Sequence, residues 1–421
     1  MTVISGRLVR FLLSTCLGLI SLSRPNEAYS VVSDGTLKSL PRPDQDFDIH
    51  TGGILAPILQ PRVPGTPGST AVLNHFADFF RHSLPDWQIE FQNSTSKTPV
   101  TGDREVPFVN FIATRDPPWV ASGNVGRLTL AAHYDSKYKP EGFIGAIDSA
   151  VPCAVIMHAM RSIDDALTKK WAAMDKAGHT QGSLDEHTGI QVMFLDGEEA
   201  FNEWTATDSL YGSRSLAQEW GARVNPSMST FKTPLSSIML FMLLDLLGSK
   251  DPKIQSYFKT THWAYQSMAT IEKRLRELKL FKSSPNYPVT ENRRSDSKAA
   301  EEPRWLIDAT REIKSHYRHS GIADDHLPFL ERGVEVLHII DSSPITGFPT
   351  VWHTLHDDGD HLDMNTVEDW GVLITAFAAE WMELENFIDT ADVKRTPSVP
   401  LPRSEKVAEW KNNPDTRKTE L

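Results

Sequence analysis

Acidic residues and histidines stand at the ends of several apolar runs in this chain. Glu198 and Glu199 directly follow one such run, where two like charges repel each other unless a cation or a shared proton compensates. The other members of this strand-end set are His133, Asp135, Asp148, Asp245 and His353. Carboxylate oxygens and imidazole nitrogens bind zinc, and catalytic zinc usually has three protein ligands and one open position. The residue types therefore favour a catalytic metal site.

Apolar periodicity predicts the helices and strands that would position this set. Strands are expected at residues 87–91, 108–113, 127–132, 190–195, 237–244 and 334–340, and helices at residues 71–82, 149–160, 213–220, 263–278 and 366–387. Their alternation predicts a single α/β domain with a central, mostly parallel mixed sheet and helices on both faces. Ligands of such sheets bind beyond the carboxyl ends of the strands, and the strand-end set would converge there.

Composition divides the chain into four segments. Residues 1–28 combine Arg7 and Arg10 with a short apolar run, which predicts a secretory signal peptide, with a retained signal anchor as the alternative. This run, residues 11–22, is shorter than the roughly 20 residues of a membrane-spanning helix, so we expect a secreted protein without a stable membrane span. Residues 29–68 are predicted to form an extended arm, residues 69–390 the catalytic domain, and residues 391–421 a disordered tail. The polar stretches 169–189 and 282–302 are interpreted as surface insertions.

The charge balance and the motif content argue against several function classes. Lys and Arg number 43 against 55 Asp and Glu, and the resulting net charge of −12 disfavours nucleic-acid binding. The G-x-S-x-G, G-x-G-x-x-G, H-E-x-x-H and C-x-x-C motifs are missing from the sequence. Cys153 is the only cysteine outside the predicted signal peptide, so no intrachain disulfide is expected. Asn93 begins an Asn-Ser-Thr sequon and is a candidate glycosylation site if the chain is secreted.

Seven ordered sequence blocks carry a resemblance to a known family. They are HYDSK at 133–137, AIDSAVPC at 146–153, DGEEAF at 196–201, DSLYGSR at 208–214, LLDLLG at 243–248, DDHLPFL at 324–330 and VWHT at 351–354. Together they closely resemble the glutaminyl-peptide cyclotransferases, or glutaminyl cyclases, of the animal and fungal type. That family is related in fold to the zinc aminopeptidases of the M28 type. The resemblance therefore implies a zinc-aminopeptidase-like α/β/α sandwich.

The resemblance also implies a role for individual residues. Asp148, Glu199 and His353 would bind a single Zn²⁺ ion. Glu198 would transfer protons as general acid and base, and Asp245 and Asp324 would form an acidic hydrogen-bond network beside it. The walls of the substrate pocket would be Trp204, Phe348 and Trp352, although packing in the core is the alternative role for these aromatic residues. The expected enzyme is a monomeric acyltransferase that converts N-terminal glutamine, and possibly glutamate, of peptides and proteins to pyroglutamate. Glutamine would release ammonia.

Two other functions remain open from the sequence. A two-zinc aminopeptidase of the M28 type would use the ligand set His133, Asp148, Glu199, Asp245 and His353, with Asp148 bridging the two ions. The segment 200–210, Trp352 and the DDH block favour the cyclase, and the number of zinc ions bound would separate the two enzymes. The weaker alternative is a non-catalytic secreted domain that binds peptide N-termini.

The chain departs from the family pattern at two positions. Ala132 occupies a position where the family often has a cysteine bridged to the position of Cys153, so that bridge cannot form here. Ala323, just before Asp324, is smaller and less polar than the residue usual in the family. We expect the first difference to affect stability and the second to affect substrate selectivity.

Overall fold

The structure is a computed structural model that describes residues 31–178, 187–288, 299–312 and 322–389. The predicted signal peptide and the predicted C-terminal tail from residue 391 lie outside the described residues. So do the central parts of both predicted surface insertions, at 179–186 and 289–298.

One six-stranded sheet forms the centre of the molecule, with the strand order β1-β2-β4-β3-β5-β6. The strands are β1 (Gln88–Lys97), β2 (Glu105–Arg115), β3 (Gly126–His133), β4 (Thr188–Leu195), β5 (Ile238–Asp245) and β6 (Val336–Ile340). The first two strands and the β2–β4 pair are antiparallel, whereas β4, β3, β5 and β6 pair in parallel. The carboxyl ends of these four strands consequently meet at one edge of the sheet.

Helices cover both faces of this sheet. They are α1 (Asp34–Ser39), α2 (Pro67–Ser83), α3 (Val151–Lys176), α4 (Tyr211–Ala222), α5 (His262–Glu277), α6 (Leu327–Leu330) and α7 (Met364–Trp381). Alternate residues of the strands point to opposite faces, so Leu130 and Val192 pack in a core with α2, α3, α5 and α7. Their neighbours Ala131 and Met193 pack in a second core with α4 and α6. The predicted α/β class with a mostly parallel mixed sheet is confirmed.

The helix after Asp148 differs from its predicted boundaries. It was expected at 149–160 but begins at Val151 and continues to Lys176. The interpretation of residues 169–176 as part of a polar insertion is therefore wrong. Buried Leu167 and Trp171 continue the apolar stripe of the helix at a spacing of four residues, which keeps this polar-looking segment helical. At the other end of the chain, α7 stops at Trp381 and not at residue 387.

The N-terminal arm packs closely on the domain. It contains α1 and two short 3₁₀ turns, Asp44–Phe47 and Ala56–Ile58. The side chains of Phe47, Ile54, Leu55 and Ile58 are buried in the same core as α2, α3 and α7. The arm is therefore more regular than the extended segment that the sequence predicted, because its apolar residues have a core surface to cover.

Among the helices of the described residues, none combines the length and the apolar character needed to cross a membrane.

Candidate metal centre

Three of the predicted ligands converge at the carboxyl edge of the sheet. Asp148 lies in the turn Ala146–Ala150 before α3, Glu199 follows β4, and His353 lies in the connection between β6 and α7. The His353 Nε2 atom lies 3.4 Å from Asp148 Oδ2 and 3.4 Å from Glu199 Oε1. One ligand atom from each residue lies within 4.8 Å of the other two. Residues from three distant connections thus form a compact triad.

The distances from His353 and the unpaired carboxylate oxygens of the triad suit a zinc site. Two ligand atoms bound at about 2.0 to 2.1 Å from a tetrahedral zinc ion lie roughly 3.3 to 3.4 Å apart, which matches both His353 contacts. Asp148 Oδ2 and Glu199 Oε1 are buried, and within the described part of the chain neither atom has a hydrogen-bond partner. Because an unpaired buried carboxylate oxygen is costly, these two atoms point to a cation. The donor set of two carboxylates and one imidazole fits zinc.

Two side chains next to β3 orient the glutamate pair. Asp135 accepts the backbone N–H of Glu198 at 3.0 Å through one oxygen and that of Glu199 at 3.1 Å through the other. The Lys137 Nζ atom contacts Glu199 Oε2 at 3.0 Å. Lys137 therefore pairs with Oε2 of Glu199, and Oε1 is left near His353.

A second group of possible ligands lies beside the triad but is engaged in hydrogen bonds. His133, Asp148 and Asp245 also place ligand atoms within 4.8 Å of one another. However, His133 Nε2 contacts Asp148 Oδ1 at 2.9 Å, which is a hydrogen-bond distance and shorter than the roughly 3.3 Å expected between two zinc ligands. The Ser149 hydroxyl donates a hydrogen bond to Asp245 Oδ1. This geometry favours a proton over a second metal ion between His133 and Asp148.

The surroundings of His133 and Asp245 also shift the pKa values of these two residues. Burial alone would lower the pKa of His133, but its contacts with three carboxylates raise the pKa well above the ordinary value. Burial and the neighbouring charge of Asp324 raise the pKa of Asp245 to about 6.

Glu198 differs from Glu199 in its electrostatic surroundings. The residue is 6% exposed and therefore buried. Burial raises the pKa of Glu198 well above the ordinary value, the nearby charge of His133 opposes this, and the charges of Glu199 and Asp324 add to the rise. A carboxyl group with a raised pKa can carry a proton near neutral pH, as general acid and base catalysis requires.

Asp324 lies in a buried hydrogen-bonded pair with a histidine. Its Oδ2 atom is 2.7 Å from His338 Nε2, and its Oδ1 atom accepts the backbone N–H of Asp325 at 2.6 Å. Burial alone would raise the pKa of Asp324, but the hydrogen bond and charge of His338 hold it below the ordinary value. His338 was not singled out from the sequence, because it lies within the apolar strand β6 and resembles an ordinary core histidine.

The three aromatic residues predicted for the substrate pocket have different positions. The Trp352 ring stacks on the His353 ring with centroids 3.8 Å apart, and the Phe348 ring lies 4.5 Å from that of Trp352. These two side chains are partly buried beside the triad. Trp204 lies in the connection after Glu199 and is 38% exposed. Trp352 thus stacks on His353, the predicted ligand, and Phe348 packs on Trp352, whereas Trp204 is on the surface of a loop.

Asp208 organises the loop that carries Trp204. It accepts backbone N–H groups from Phe201, Asn202 and Glu203 at 2.9 to 3.0 Å, and the Tyr211 hydroxyl at 2.8 Å. Burial would raise the pKa of Asp208, but these donors hold it below the ordinary value. From the sequence, Asp208 is recognisable only as part of a family block, because bonds to backbone groups leave no pattern of residue types.

Comparisons with known proteins give consistent findings. The profile of peptidase family M28 matches residues 119–378. A glutaminyl-peptide cyclotransferase from Bos taurus is 36% identical over 78% of this chain and 81% of its own length. The crystal structure of Macrostomum lignano glutaminyl cyclase has a TM-score of 0.61 and 28% identity, and the match covers 84% of this chain and 96% of that one. A Zn-dependent exopeptidase from Parabacteroides distasonis, at 19% identity and a TM-score of 0.52 over 83% of this chain and 99% of that one, shares the fold.

Proposed function

This chain belongs to peptidase family M28 and to the glutaminyl-peptide cyclotransferases, and from that membership we propose its reaction and mechanism. The enzyme is an acyltransferase that closes the N-terminal glutamine of a peptide into pyroglutamate and releases ammonia. It uses a single zinc ion held by Asp148, Glu199 and His353, and Glu198 transfers the protons. The recognition of the family and of the enzyme class from sequence blocks is confirmed by these relatives.

One observation carries the single-zinc proposal. The triad offers three ligand atoms within 4.8 Å of one another, two of which are buried carboxylate oxygens without a hydrogen-bond partner among the described residues. A bound zinc ion would supply a Lewis acid that polarises the side-chain amide of the substrate and stabilises the charge that develops on its oxygen. The remaining chemistry falls to side chains of the protein.

The reaction needs one group that moves a proton between two nitrogens. The α-amine nitrogen attacks the side-chain amide carbon of its own residue, so nucleophile and electrophile are already tethered. A bond forms between the α-nitrogen and this carbon, and the bond from the carbon to the amide nitrogen breaks. Glu198 accepts the proton that the amine loses and donates it to the departing nitrogen, which leaves as ammonia. The raised pKa of Glu198 suits this two-way role.

Phe348 and Trp352 supply an apolar surface next to His353. Such a surface packs on the aliphatic part of a glutamine side chain and excludes water, which would otherwise compete and give glutamate. The proposed substrates are peptides and proteins with an accessible N-terminal glutamine, and the proposed location is the secretory pathway.

The two-zinc aminopeptidase is the second candidate, because His133, Asp148 and Asp245 form a further group of possible ligands. The hydrogen bonds from His133 to Asp148 and from Ser149 to Asp245 argue against it. A purified enzyme that binds two zinc ions per chain and hydrolyses peptide bonds would establish this alternative.

A direct experiment compares both activities on one preparation. The protein is incubated with a dipeptide that begins with glutamine and, separately, with one that begins with leucine. Ammonia is measured in the first reaction and free leucine in the second, with and without a zinc chelator, and zinc per chain is determined by elemental analysis. We expect chelator-sensitive ammonia release, no leucine release and one zinc ion per chain. Leucine release without ammonia would refute the proposed reaction.

A further inference from the structure

Arg62 is a fully buried arginine of the N-terminal arm whose guanidinium group contacts the backbone of the segment that carries Asp148. Its Nη2 atom donates to Gly145 O at 2.8 Å and contacts Asp148 O at 3.4 Å, and its Nη1 atom donates to Ile144 O. The backbone N–H of Arg62 donates to Ser136 Oγ at 2.9 Å. Arg62 thus contacts two segments that lead to residues of the candidate site, the one before Asp148 and the one before Lys137.

The turn that Arg62 holds is irregular. Within Ala146–Ala150, Asp148 has φ −118° and ψ 71°, which are not helical angles. Gly145 has a φ of +64°, and a Cβ atom at this position would lie 2.1 Å from Asp148 O. Backbone carbonyls in such a turn lack the partners that a helix would provide. Arg62 supplies donors to Ile144 O and Gly145 O just before the turn and contacts Asp148 O within it.

Asp357 holds the same turn from the other side. Its Oδ1 atom accepts the backbone N–H of Ile147 at 2.7 Å, and its carbonyl oxygen accepts the N–H of Ala146 at 3.1 Å. Asp357 is buried and lies four residues after His353. The turn before α3 is therefore fixed between the arm and the connection that carries the imidazole ligand.

We infer that Arg62 and Asp357 are positioning residues of the metal centre, which hold the turn so that the Asp148 carboxylate faces His353 and Glu199. The N-terminal arm is accordingly part of the scaffold of the zinc site. This inference rests on the zinc site of the proposed function. The arm contributes no ligand of its own, so neither the ligand triad nor the sheet explains why the zinc site would need it.

The chemistry of the guanidinium group explains why an arginine serves here. Its planar fork presents two terminal nitrogens that reach several carbonyl oxygens at once, whereas a lysine presents one. The donors point at carbonyl oxygens, including that of Asp148, so the carboxylate oxygens of Asp148 stay available for the metal ion.

The test measures zinc affinity and not only turnover. The variant Arg62→Lys keeps the charge and most of the volume but loses the fork. Its zinc dissociation constant is determined by competition with a chromogenic chelator, and its Tm is measured without zinc. The control is Arg276→Lys, since Arg276 is equally buried, pairs with Glu272 and lies over the Trp305 ring, away from the ligand segments.

We expect Arg62→Lys to raise the zinc dissociation constant about 10- to 100-fold, as the loss of groups that orient metal ligands does. Arg276→Lys should lower the Tm and leave the zinc affinity unchanged. A zinc dissociation constant within twofold of the parent in Arg62→Lys would overturn the inference.

A second variant covers the case in which Arg62→Lys does not unfold cooperatively. Asp357→Ala then takes its place, and an unchanged zinc affinity in that variant overturns the inference equally. Absence of zinc binding in the parent enzyme is a different result, because it would refute the proposed function itself.

Discussion

Glu198 and Glu199 are adjacent in the chain, yet their surroundings suit them to different chemistry. Glu199 has one oxygen paired with Lys137 and the other close to His353, which is the arrangement expected of a metal ligand. Glu198 lies among other carboxylates and has a raised pKa, which is the arrangement of a proton carrier. Asp135 accepts the backbone N–H groups of both residues, and so holds the backbone from which their side chains point in different directions.

This division of roles predicts the effect of Glu198→Gln. The amide is nearly the same size but cannot accept and return a proton, so kcat/KM for a glutamine dipeptide should fall by at least about 100-fold. Zinc content should stay at the parental level, because Glu199 and its contacts are unchanged. Ammonia release and elemental analysis measure the two quantities. The exposed Glu203→Gln serves as the control and should retain full activity. Turnover close to the parental rate in Glu198→Gln would remove Glu198 from the mechanism.

At the scale of elements, the loop from Ala200 to Leu210 depends on one buried carboxylate. Asp208→Ala leaves the N–H groups of Phe201, Asn202 and Glu203 without their acceptor, so the loop that carries Trp204 should lose its fixed shape. Because the proposed zinc ligands lie outside this loop's hydrogen bonds, we expect KM to rise about tenfold and kcat to change less than threefold. Steady-state kinetics with a glutamine dipeptide test this split. Thr207→Ala, an exposed change in the same loop, should leave both constants unchanged.

We expect the contact between the arm and α3 to lose stability in acid. His158 is buried, contacts Pro41 O at 3.2 Å, and lies edge-on to the Phe47 ring. Burial lowers the pKa of His158 to about 3, compared with an ordinary value of about 6.5 in the unfolded chain. Below pH 6.5 the unfolded state therefore binds a proton that the folded state does not. The free energy of unfolding from this group falls by about 1.4 kcal/mol per pH unit between pH 6.5 and the folded pKa.

We predict a difference in the pH dependence of stability between the parent and a His158 variant, because other groups change the free energy of unfolding in the opposite direction. Burial raises the pKa of Asp341 and Asp369 to about 6 and that of Glu380 to about 7, and these groups favour the folded state as the pH falls towards 5. His158→Gln should therefore show a smaller loss of stability between pH 6.5 and 4.5 than the parent does. Urea unfolding at several pH values measures this, with His82→Gln on the exposed side of α2 as the control. Parallel pH profiles for the parent and His158→Gln would contradict the assignment.

At the scale of the whole molecule, the sequence predicted best what depends on residue type and local spacing. Apolar runs predicted all six strands, and the acids and histidines that follow them predicted which connections would meet, because the carboxyl ends of parallel strands share one edge. Arg62, Lys137 and Asp357 received no role from the sequence. Each acts through backbone groups or a partner far away in the chain, and such contacts exist only after the sheet has brought the segments together. The end of α3 was missed because polar residues on its exposed face concealed the stripe that includes Trp171.

The assembled molecule leads to a last prediction, that zinc binding stabilises the entire fold. The three proposed ligands come from connections that precede α3, follow β4 and precede α7, so one ion would tie together segments that are up to 205 residues apart, from Asp148 to His353. Without a cation, Asp148 Oδ2 and Glu199 Oε1 are buried with no hydrogen-bond partner among the described residues, which costs stability. Free zinc at about 1,000 times the dissociation constant should add about 4 kcal/mol to the free energy of unfolding.

Differential scanning calorimetry of the apo and zinc-loaded enzyme tests this stabilisation. The Tm of the parent should rise by roughly 8 to 16 °C on loading, since each kcal/mol shifts the Tm of a large domain by roughly 2 to 4 °C. His353→Gln removes one ligand and should abolish the rise, whereas His82→Gln changes an exposed histidine far along the chain and should retain it. An equal rise in His353→Gln would place the stabilising ion elsewhere in the molecule. The ligand triad and the stability of the fold would then be separate properties.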